Sequence, residues 1–400
     1  MKIGNTIYLD HQATTPVEWR VLAEMTPYFT ESFGNPHSDN HALGWETSRA
    51  VDEAAARVAR LIGAHSDEII FTSGATESNN LALLGLARRA AGGKRHRVLV
   101  GAAEHKCVLA AGRALEDHHG FKVECLPVSS EGFVEASTLE DSLDDDVLLV
   151  SVMAVNNEIG TIEEIESLSK IVKSYGALFH CDAAQAPLAI DLSSFAEYVD
   201  TISLSAHKMY GPKGIGADYV ARELQERIEP LVYGGVQQNG LRSGTVPVPL
   251  CVGMGMAADI LADEAADEQR KELGRKRDRF VAGLNRLAWP ITMNGPKGKV
   301  RHPGNANIRF TGFAAHDILA TLQPHLAASS GSACTSGMPE PSHVLKAIGL
   351  TSDEAESSIR FSPGFFTSDD DIDEAVERVG EVLQKLSEAD PMWPPRVGCA

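Results

Sequence analysis

The 400-residue chain is short of positive charge, because 36 Lys and Arg residues face 55 Asp and Glu residues and leave a formal net charge of −19. Binding to nucleic acid or to an anionic membrane surface needs a surplus of Lys and Arg, so this composition argues against both. The chain also lacks an apolar run near the ~18 residues of a membrane span, and it lacks a charged-then-apolar leader. We therefore expect a soluble, cytoplasmic protein.

Cysteine is scarce and scattered, and no two cysteines form a CxxC pair. A disulfide framework or a zinc knuckle needs closer spacing, so we expect neither and favour a reducing compartment. The 14 histidines also lack ligand spacing, so we predict no metal site. A buried, structural role is our expectation for four of the cysteines. These four are Cys107, Cys125, Cys181 and Cys251, and the other two are Cys334 and Cys399.

What the chain does have is an alternation of short apolar runs and longer amphipathic stretches. Nearly continuous apolar runs are typical of strands buried on both faces of a parallel sheet. Strand–helix alternation then predicts an α/β fold with a largely parallel sheet and helices on both faces. The predicted strands are 68–72, 97–101, 122–126, 147–153, 177–180, 201–205 and 217–220, and the predicted helices are 47–62, 76–91, 107–119, 162–175 and 250–287.

The pattern changes after residue 256. A long helix rich in Ala, Glu and Arg is followed by shorter segments at 306–310 and 359–362 and by a final helix at 369–386. We therefore predict a large α/β domain over residues 1–256, and a linking helix with a smaller α+β domain over residues 257–400. This division places the N-terminal segment in the large domain. The alternative that this segment packs on the small domain stays open.

A candidate phosphate site lies where the strand at 68–72 runs into Ser73, Gly74 and Thr76 and then into a helical pattern. This order points free backbone N–H groups at an anion, and Gly74 lets the backbone approach closely. Ordinary capping of the helix by Ser73 or Thr72 explains the same residues. The segment carries neither GxGxxG nor GxxxxGK[ST], so it indicates neither a dinucleotide nor a nucleoside triphosphate.

The strand predicted at 201–205 delivers Ser205, His207 and Lys208 to its carboxyl end. In open α/β sheets this is the end at which ligands bind. A lysine placed there, with its pKa lowered by partial desolvation, can form a Schiff base. A solvated lysine in a surface turn is the alternative.

A second strand end offers a carboxylate, because Asp182 follows an apolar run and Gln185 comes three residues later. On its own, such an Asp fits a helix cap. Beside a lysine Schiff base, however, an acid is what the pyridinium nitrogen of pyridoxal 5′-phosphate requires. The phosphate site, Lys208 and Asp182 together fit that cofactor, although none of them alone carries the inference.

Nine ordered segments between residue 8 and residue 362 resemble the cysteine desulfurases, and more narrowly the group with the nitrogen-fixation and iron–sulfur-cluster enzymes. The resemblance implies a pyridoxal-phosphate enzyme of fold type I, in the class-V aminotransferase family, that works as a homodimer with active sites at the subunit interface. The segments are YLDHQATTP (8–16), TSGATESNN (72–80), EHK (104–106), VNNEIG (155–160), DAAQ (182–185), SAHK (205–208), RSGT (242–245), SSGSAC (329–334) and SIRFS (358–362).

By this resemblance, five side chains surround the cofactor ring. Lys208 carries the cofactor as a Schiff base, Asp182 pairs with the ring nitrogen, and Gln185 binds the ring hydroxyl. His105 stacks on the ring and moves protons, and Asn157 lies beside it. The implied phosphate-binding residues are Ala75, Thr76, Ser205 and His207, with Thr245 supplied by the neighbouring subunit.

The resemblance also implies how substrate is held and attacked. Arg360 matches the residue that binds the substrate carboxylate, which suits its planar fork, and Asn35 is expected to assist it. Cys334 matches the nucleophile. Its surroundings are rich in Ser, Gly and Pro and predict a mobile loop, so a catalytic thiol is favoured there over a buried structural one.

The implied activity converts L-cysteine to L-alanine, leaves a persulfide on Cys334 and passes the sulfur to an acceptor protein for iron–sulfur cluster assembly. Two departures keep other acceptors open. Residues 221–227 are nearly neutral where relatives are basic, and Gln238 and Asn239 stand where Glu and Arg are usual. Sulfur delivery to DNA phosphorothioation or tRNA thiolation is therefore an alternative, as are a selenocysteine or cysteine lyase and a catalytically silent interaction protein.

Overall fold

The computed structural model describes residues 1–330 and 341–389, and its largest feature is a seven-stranded sheet in the order β3-β9-β8-β7-β6-β4-β5. Two three-stranded sheets, β1-β2-β12 and β10-β11-β13, accompany it. The strands are β1 Lys2–Ile3, β2 Thr6–Tyr8, β3 Ile69–Thr72, β4 Arg97–Gly101, β5 Lys122–Leu126, β6 Val147–Ser151, β7 Leu178–Asp182, β8 Thr201–Ser205, β9 Gly216–Val220, β10 Ile291–Met293, β11 Ala306–Phe310, β12 Leu326–Ala327 and β13 Ser358–Phe361.

Helices pack on the large sheet, and others pack with the strands of the smaller sheets. A π-helical turn at Leu81–Gly85 links α4 to α5, so that one continuous helical stretch follows β3. The α-helices are α1 Trp19–Met25, α2 Pro27–Thr30, α3 Ala42–Ile62, α4 Ala75–Asn80, α5 Leu86–Ala90, α6 Lys106–His119, α7 Ala136–Ser142, α8 Ile165–Ser174, α9 Val248–Ala262, α10 Ala265–Asn285, α11 Ala315–Leu322, α12 His343–Ala347, α13 Ser352–Glu356 and α14 Asp369–Ala389.

The large sheet confirms the predicted α/β class. Strands β8, β7, β6, β4 and β5 are mutually parallel, and only β9 runs against its neighbours. The prediction that every strand is buried on both faces is wrong for β5, because it lies at the edge of the sheet and exposes Lys122 and Cys125. Edge strands carry charge on their open side, and here Lys122 provides it.

The helix predicted over 250–287 is two helices, α9 and α10. The chain is extended at Asp263, and the Asp263 carboxylate accepts a hydrogen bond from the Ala265 N–H at 2.8 Å. An Asp that bonds backbone N–H groups just ahead of a helix is a typical start signal. The prediction of a single helix was wrong because helix-forming residues lie on both sides of Asp263 and hide its start signal.

Two separate apolar cores lie on either side of the candidate site. The larger one fills the space between the seven-stranded sheet and its helices. The smaller one joins Ile7 and Leu9 of the N-terminal segment to side chains of α10, β11, β13 and α14. Strand β2 pairs in parallel with β12, so the first residues of the chain lie against its last third. The division at residue 256 stays a prediction.

Candidate active site

A cavity of about 730 Å³ opens at the carboxyl ends of β3, β7 and β8, between the two cores. This is where an open α/β sheet is expected to bind ligands. Side chains from the large sheet and from β13 both reach it. The structure brings ten of the predicted site residues into its wall: Ala75, Thr76, His105, Asn157, Asp182, Gln185, Ser205, His207, Lys208 and Arg360.

The start of α4 forms one end of the cavity. Its N-cap is Gly74, at φ 150°, which has no side chain to cap the helix. The sequence expectation of capping by Ser73 or Thr72 is therefore wrong for this helix, and its first residues, Ala75 and Thr76, line the cavity. A Cβ on the neighbouring Gly216 would lie 2.6 Å from the Gly74 Cα, so the close packing of these two segments needs glycine. Free N–H groups and a cradle without side chains suit a phosphate.

Lys208 lies just after β8 and is largely buried. Its Nζ donates to the backbone carbonyls of Gln12 at 2.7 Å and Ala13 at 2.8 Å. Burial, together with the positive charge of Arg360, lowers the pKa of Lys208 to about 8. The surface-turn alternative does not fit this environment. A buried amine with a lowered pKa is the form in which lysine acts as a nucleophile.

Asp182 ends β7 and is buried. One carboxylate oxygen, Oδ2, accepts a hydrogen bond from Asn79 Nδ2 at 2.7 Å, and the other, Oδ1, accepts the Ala184 N–H at 2.9 Å. Gln185 lies beside it, and its Nε2 donates to the Gln12 carbonyl at 2.9 Å. The carboxylate is thus fixed in orientation and open to a cationic partner in the cavity.

His105 is the N-cap of α6, and its ring lines the cavity. The residue is partly exposed in the single chain, but burial around its ring still lowers the pKa of His105, with Asp182 opposing that shift. Cys107 lies two residues further on, with its Sγ 2.9 Å from His105 Nδ1. Cys107 is half-buried in the cavity wall, which corrects the expectation that it is an ordinary core cysteine.

Arg360 reaches the same cavity from β13. Its guanidinium is buried, donating from Nη2 to Asp10 Oδ1 at 2.7 Å and from Nη1 to the Asn157 carbonyl at 2.8 Å. The Nε atom is buried without a hydrogen-bond partner among the described residues. An anchored guanidinium with an unused N–H can bind a carboxylate.

Two predicted residues are not in this cavity wall, and a third lies outside the described residues. Asn35 and Thr245 are exposed in the single chain, and neither lines the cavity. Cys334 lies outside the described residues. The two described stretches that flank its segment both reach the cavity, one at Ser329 and the other at His343.

Sequence reasoning missed four residues that shape the site. Asn79 and Asp10 fix Asp182 and Arg360, and Cys107 and His343 belong to the wall. Asp10, Asn79 and Cys107 carried a signal, because each lies within or directly beside a recognised motif, whereas His343 lies nine residues beyond Cys334. Which neighbour points inward depends on helix phase and on contacts between distant segments, and short motifs do not encode these.

Two classes of feature were sought across the described residues. No group of three or more His, Cys, Asp or Glu side chains within residues 1–330 and 341–389 could hold a metal ion. Over the same part of the chain, no helix is both long and apolar enough to cross a bilayer.

Residues 7–375 match the family described as aminotransferase class-V. Two similar relatives are named cysteine desulfurase IscS. The one from Rickettsia felis is 46% identical over 389 residues, covering 97% of this chain and 93% of its own. The one from Rickettsia massiliae is 45% identical over 394 residues, covering 98% and 94%.

Solved structures show the same relationship at lower identity. A NifS-like protein superposes with a TM-score of 0.88 at 35% identity, covering 95% of this chain and all 100% of its own. SspA in complex with cysteine gives 0.78 at 35%, covering 89% and 98%. DndA from Streptomyces lividans gives 0.74 at 35%, covering 90% and 99%.

Proposed function

The chain belongs to the class-V aminotransferase family and, within it, to the cysteine desulfurases, and from that membership we propose that it removes sulfur from L-cysteine with pyridoxal 5′-phosphate. The observation that carries this assignment is the convergence of Lys208, Asp182, His105 and Arg360 on one cavity. They supply an amine, a carboxylate, an imidazole and a guanidinium. An amino-acid substrate bound to this cofactor needs all four kinds of group.

The residues present fit the cofactor. The N–H groups after Gly74, with Thr76, Ser205 and His207 beside them, would hold its phosphate, and Lys208 would bind its aldehyde. Asp182 would face its ring nitrogen, with Gln185 near its hydroxyl. When bound, pyridoxal phosphate supplies an electron sink for chemistry at the substrate Cα.

Lys208 and His105 are the groups that would move protons. With a pKa of about 8, the Lys208 amine is partly neutral near physiological pH and can accept a proton at Nζ. The imidazole of His105 faces the same space, and its lowered pKa keeps the ring neutral. Asp182, held by Asn79 and Ala184, provides a fixed negative charge opposite them.

Arg360 would hold the substrate carboxylate. Asp10 and the Asn157 carbonyl fix two arms of the guanidinium, so its remaining N–H groups are oriented before substrate arrives. Preorganised charge of this kind costs no reorganisation on binding. Every amino acid has this carboxylate, so the contact with Arg360 does not select cysteine over other amino-acid substrates. Selection for a sulfur-containing substrate therefore rests on the attacking thiol.

We assign that thiol to Cys334, from the family motif and from the flanking residues Ser329 and His343 in the cavity wall. The thiolate attacks the substrate sulfur, the Cβ–S bond breaks and an S–S bond forms. The balance is L-cysteine plus the Cys334 thiol giving L-alanine plus the Cys334 persulfide, with no external oxidant.

A second copy of the chain would complete the site. Asn35 and Thr245 lie in exposed segments that also present large apolar side chains to solvent, including Phe33 at 67%, Tyr233 at 70% and Val236 at 88% exposure. Exposed apolar surface of this extent indicates an interface, and closed twofold dimers are the commonest assembly. A homodimer would cover both segments and bring Thr245 to the partner's phosphate site.

The similarity to the IscS relatives favours iron–sulfur cluster assembly, in the cytoplasm, as the use of the sulfur. DNA phosphorothioation and tRNA thiolation are the second candidate, and the surface at 221–227 favours them. Arg222 there is neutralised by a bidentate pair with Asp67, at 2.8 Å for both contacts, while Glu223 and Glu226 are exposed. This surface does not offer the basic docking site of the cluster-assembly relatives.

Two variants test the desulfurase assignment. Lys208→Ala should lose both the visible absorbance of the bound cofactor and the formation of alanine. Cys334→Ser should keep the absorbance and lose persulfide formation, whereas Cys125→Ser, at an exposed position on β5, should behave as wild type. Full-rate persulfide and alanine formation by Cys334→Ser would show that the nucleophile is elsewhere, and alanine without persulfide would indicate a lyase.

The acceptor is tested by tracing labelled sulfur from cysteine in cells that contain the untagged protein. Label in iron–sulfur proteins supports cluster assembly. Label in DNA or tRNA, with cluster proteins unlabelled, supports the second candidate.

A further inference from the structure

A short chain of hydrogen bonds joins Asp182 to His105 through Asn79, which holds Asp182, and Cys107, which has no role in the mechanism above. Asn79 Nδ2 lies 2.7 Å from Asp182 Oδ2 and 3.2 Å from Cys107 Sγ. Cys107 Sγ in turn lies 2.9 Å from His105 Nδ1. Asn79 is fully buried, so no solvent competes for its amide. Asp182 and His105, which both line the cavity, are therefore connected through buried Asn79 and through Cys107 of the cavity wall.

The direction of each bond follows from the donors available. An amide NH₂ has two protons and no lone pair to accept with, so Asn79 Nδ2 donates to both Asp182 and Cys107. The opposite amide orientation would set its oxygen against the Asp182 carboxylate, which repulsion disfavours. At the far end, the backbone N–H of Cys107 donates to His105 Nδ1 at 3.2 Å. Nδ1 is therefore an acceptor and carries no proton.

The thiol must then donate. Burial raises the pKa of Cys107 to about 11, so its sulfur keeps a proton near neutral pH. Sγ accepts from Asn79 and also has the Thr76 side chain as a hydrogen-bond neighbour. Because Nδ1 of His105 lies 2.9 Å away and carries no proton, we place the S–H of Cys107 on that nitrogen. Two donors from Cys107, one backbone and one side chain, thus occupy the same ring nitrogen of His105.

We propose that Cys107 is a positioning residue that holds His105 in the tautomer with its proton on Nε2. The ring then presents an N–H to the cavity, so His105 begins a turnover as a proton donor rather than an acceptor at that atom. The inference rests on the proposed function only in treating His105 as the ring that faces the reacting group.

The charge around the ring sets the background for this hydrogen bond. Asp182 favours the charged imidazole, while Lys208 and Lys106 oppose it, and His343 also faces the ring. A donor to Nδ1 stabilises the neutral ring, because the bond is lost when Nδ1 is protonated. Removing the thiol should therefore raise the pKa of His105, whereas a hydroxyl at the same place should largely preserve it.

The test is nitrogen-15 NMR of the histidine rings in the cofactor-loaded protein, with His105 assigned from a His105→Asn variant. Wild type should show His105 protonated at Nε2 and unprotonated at Nδ1 near pH 7.5. Cys107→Ala should move the titration midpoint of His105 up by roughly 0.5 to 1 pH unit. Cys107→Ser should stay close to wild type, and Cys125→Ala serves as the control for losing a cysteine elsewhere.

Two results would overturn the proposal. One is a proton on Nδ1 of His105 in wild type, since that nitrogen could then accept neither bond. The other is a His105 midpoint that is unchanged in Cys107→Ala, or moved equally by Cys107→Ala and Cys107→Ser. Neither the tautomer of His105 nor its titration midpoint depends on turnover. If the desulfurase assignment fails, wild type will form no alanine from cysteine while the His105 tautomer is still the expected one.

Discussion

Removing the positive charge of Arg360 should slow the capture of pyridoxal phosphate by Lys208 at neutral pH. Only the neutral amine attacks the cofactor aldehyde, and the buried guanidinium helps to keep that amine neutral. Asp10 acts in the opposite direction, because its carboxylate favours the protonated amine. Burial is the largest cause of the lowered pKa of Lys208, and the Asp10–Arg360 pair, at 2.7 Å, adds two opposing charges to it.

The size of the effect follows from the pKa of Lys208. A pKa of about 8 leaves about 9% of the amine neutral at pH 7, against ~0.03% at the ordinary value, a gain of roughly 300-fold. If Arg360→Gln raises the pKa by about one unit, the neutral fraction falls about tenfold at pH 7. Asp10→Asn should lower the pKa, and a fall of ~0.5 to 1 unit raises the neutral fraction roughly three- to fivefold.

The assay mixes cofactor-free protein with pyridoxal phosphate and follows the visible absorbance of the bound cofactor between pH 6 and 10. The capture rate of wild type should rise with pH with a midpoint near 8. The midpoint should move up in Arg360→Gln and down in Asp10→Asn, whereas Arg360→Lys keeps the charge and should stay near wild type. Equal shifts in Arg360→Gln and Arg360→Lys, or a downward shift in Arg360→Gln, would refute the electrostatic reasoning.

Two further predictions concern stability. Burial raises the pKa of Asp218 well above its ordinary value, so the folded protein keeps a proton that the unfolded chain releases, and stability falls as pH rises above that ordinary value. Asp218→Asn removes the effect, so its stability relative to wild type should grow as pH rises above the ordinary pKa of Asp, by at most ~1.4 kcal/mol per pH unit. Paired thermal unfolding of the two proteins from about pH 4 upward measures this, and a constant difference would contradict it. Gln238 bridges the edge strand by accepting the Phe71 N–H at 2.6 Å and donating to the Phe71 carbonyl at 2.9 Å. Gln238→Glu should cost about 1–3 kcal/mol at pH 8 by setting a carboxylate against that carbonyl, and Gln237→Glu on the same turn is the control.

The parts of the fold that local pattern determines could be predicted from the sequence. The strands at 97–101, 122–126 and 201–205 have the predicted bounds, and the short segment predicted at 306–310 is a strand with those bounds. Short runs with apolar or β-branched residues are the local pattern that indicates them. The short strands Thr6–Tyr8 and Leu326–Ala327 could not be predicted. They pair with each other across more than three hundred residues, and no local sequence pattern encodes that contact.

The candidate site divides in the same way. Residues at strand ends, such as Asp182 and Lys208, were found because the topology of a parallel sheet brings carboxyl ends together. Asn79 and Cys107 were not, because their roles depend on contacts between two helices that start from different strands. Asn35 and Thr245 do not line the cavity in one folded copy, and their place in the site rests on the proposed homodimer.

The strand that delivers a site residue also carries a polar residue one step further into the core. Asp182 and Ser205 line the cavity, and two positions earlier on the same strands, His180 and Ser203 are fully buried. His180 bonds Ser151 at 2.8 Å and Ser203 at 3.2 Å, and burial lowers the pKa of His180 to about 3, so the ring is neutral. Residues two apart on a strand share a face and lie only ~6.6 Å apart, so the sequence pattern alone does not distinguish the pair that lines the cavity from the buried pair. The two pairs differ in their position along the strands. Asp182 and Ser205 lie at the strand ends and can meet substrate, whereas His180 and Ser203 lie one step inside and form a buried polar layer beneath them.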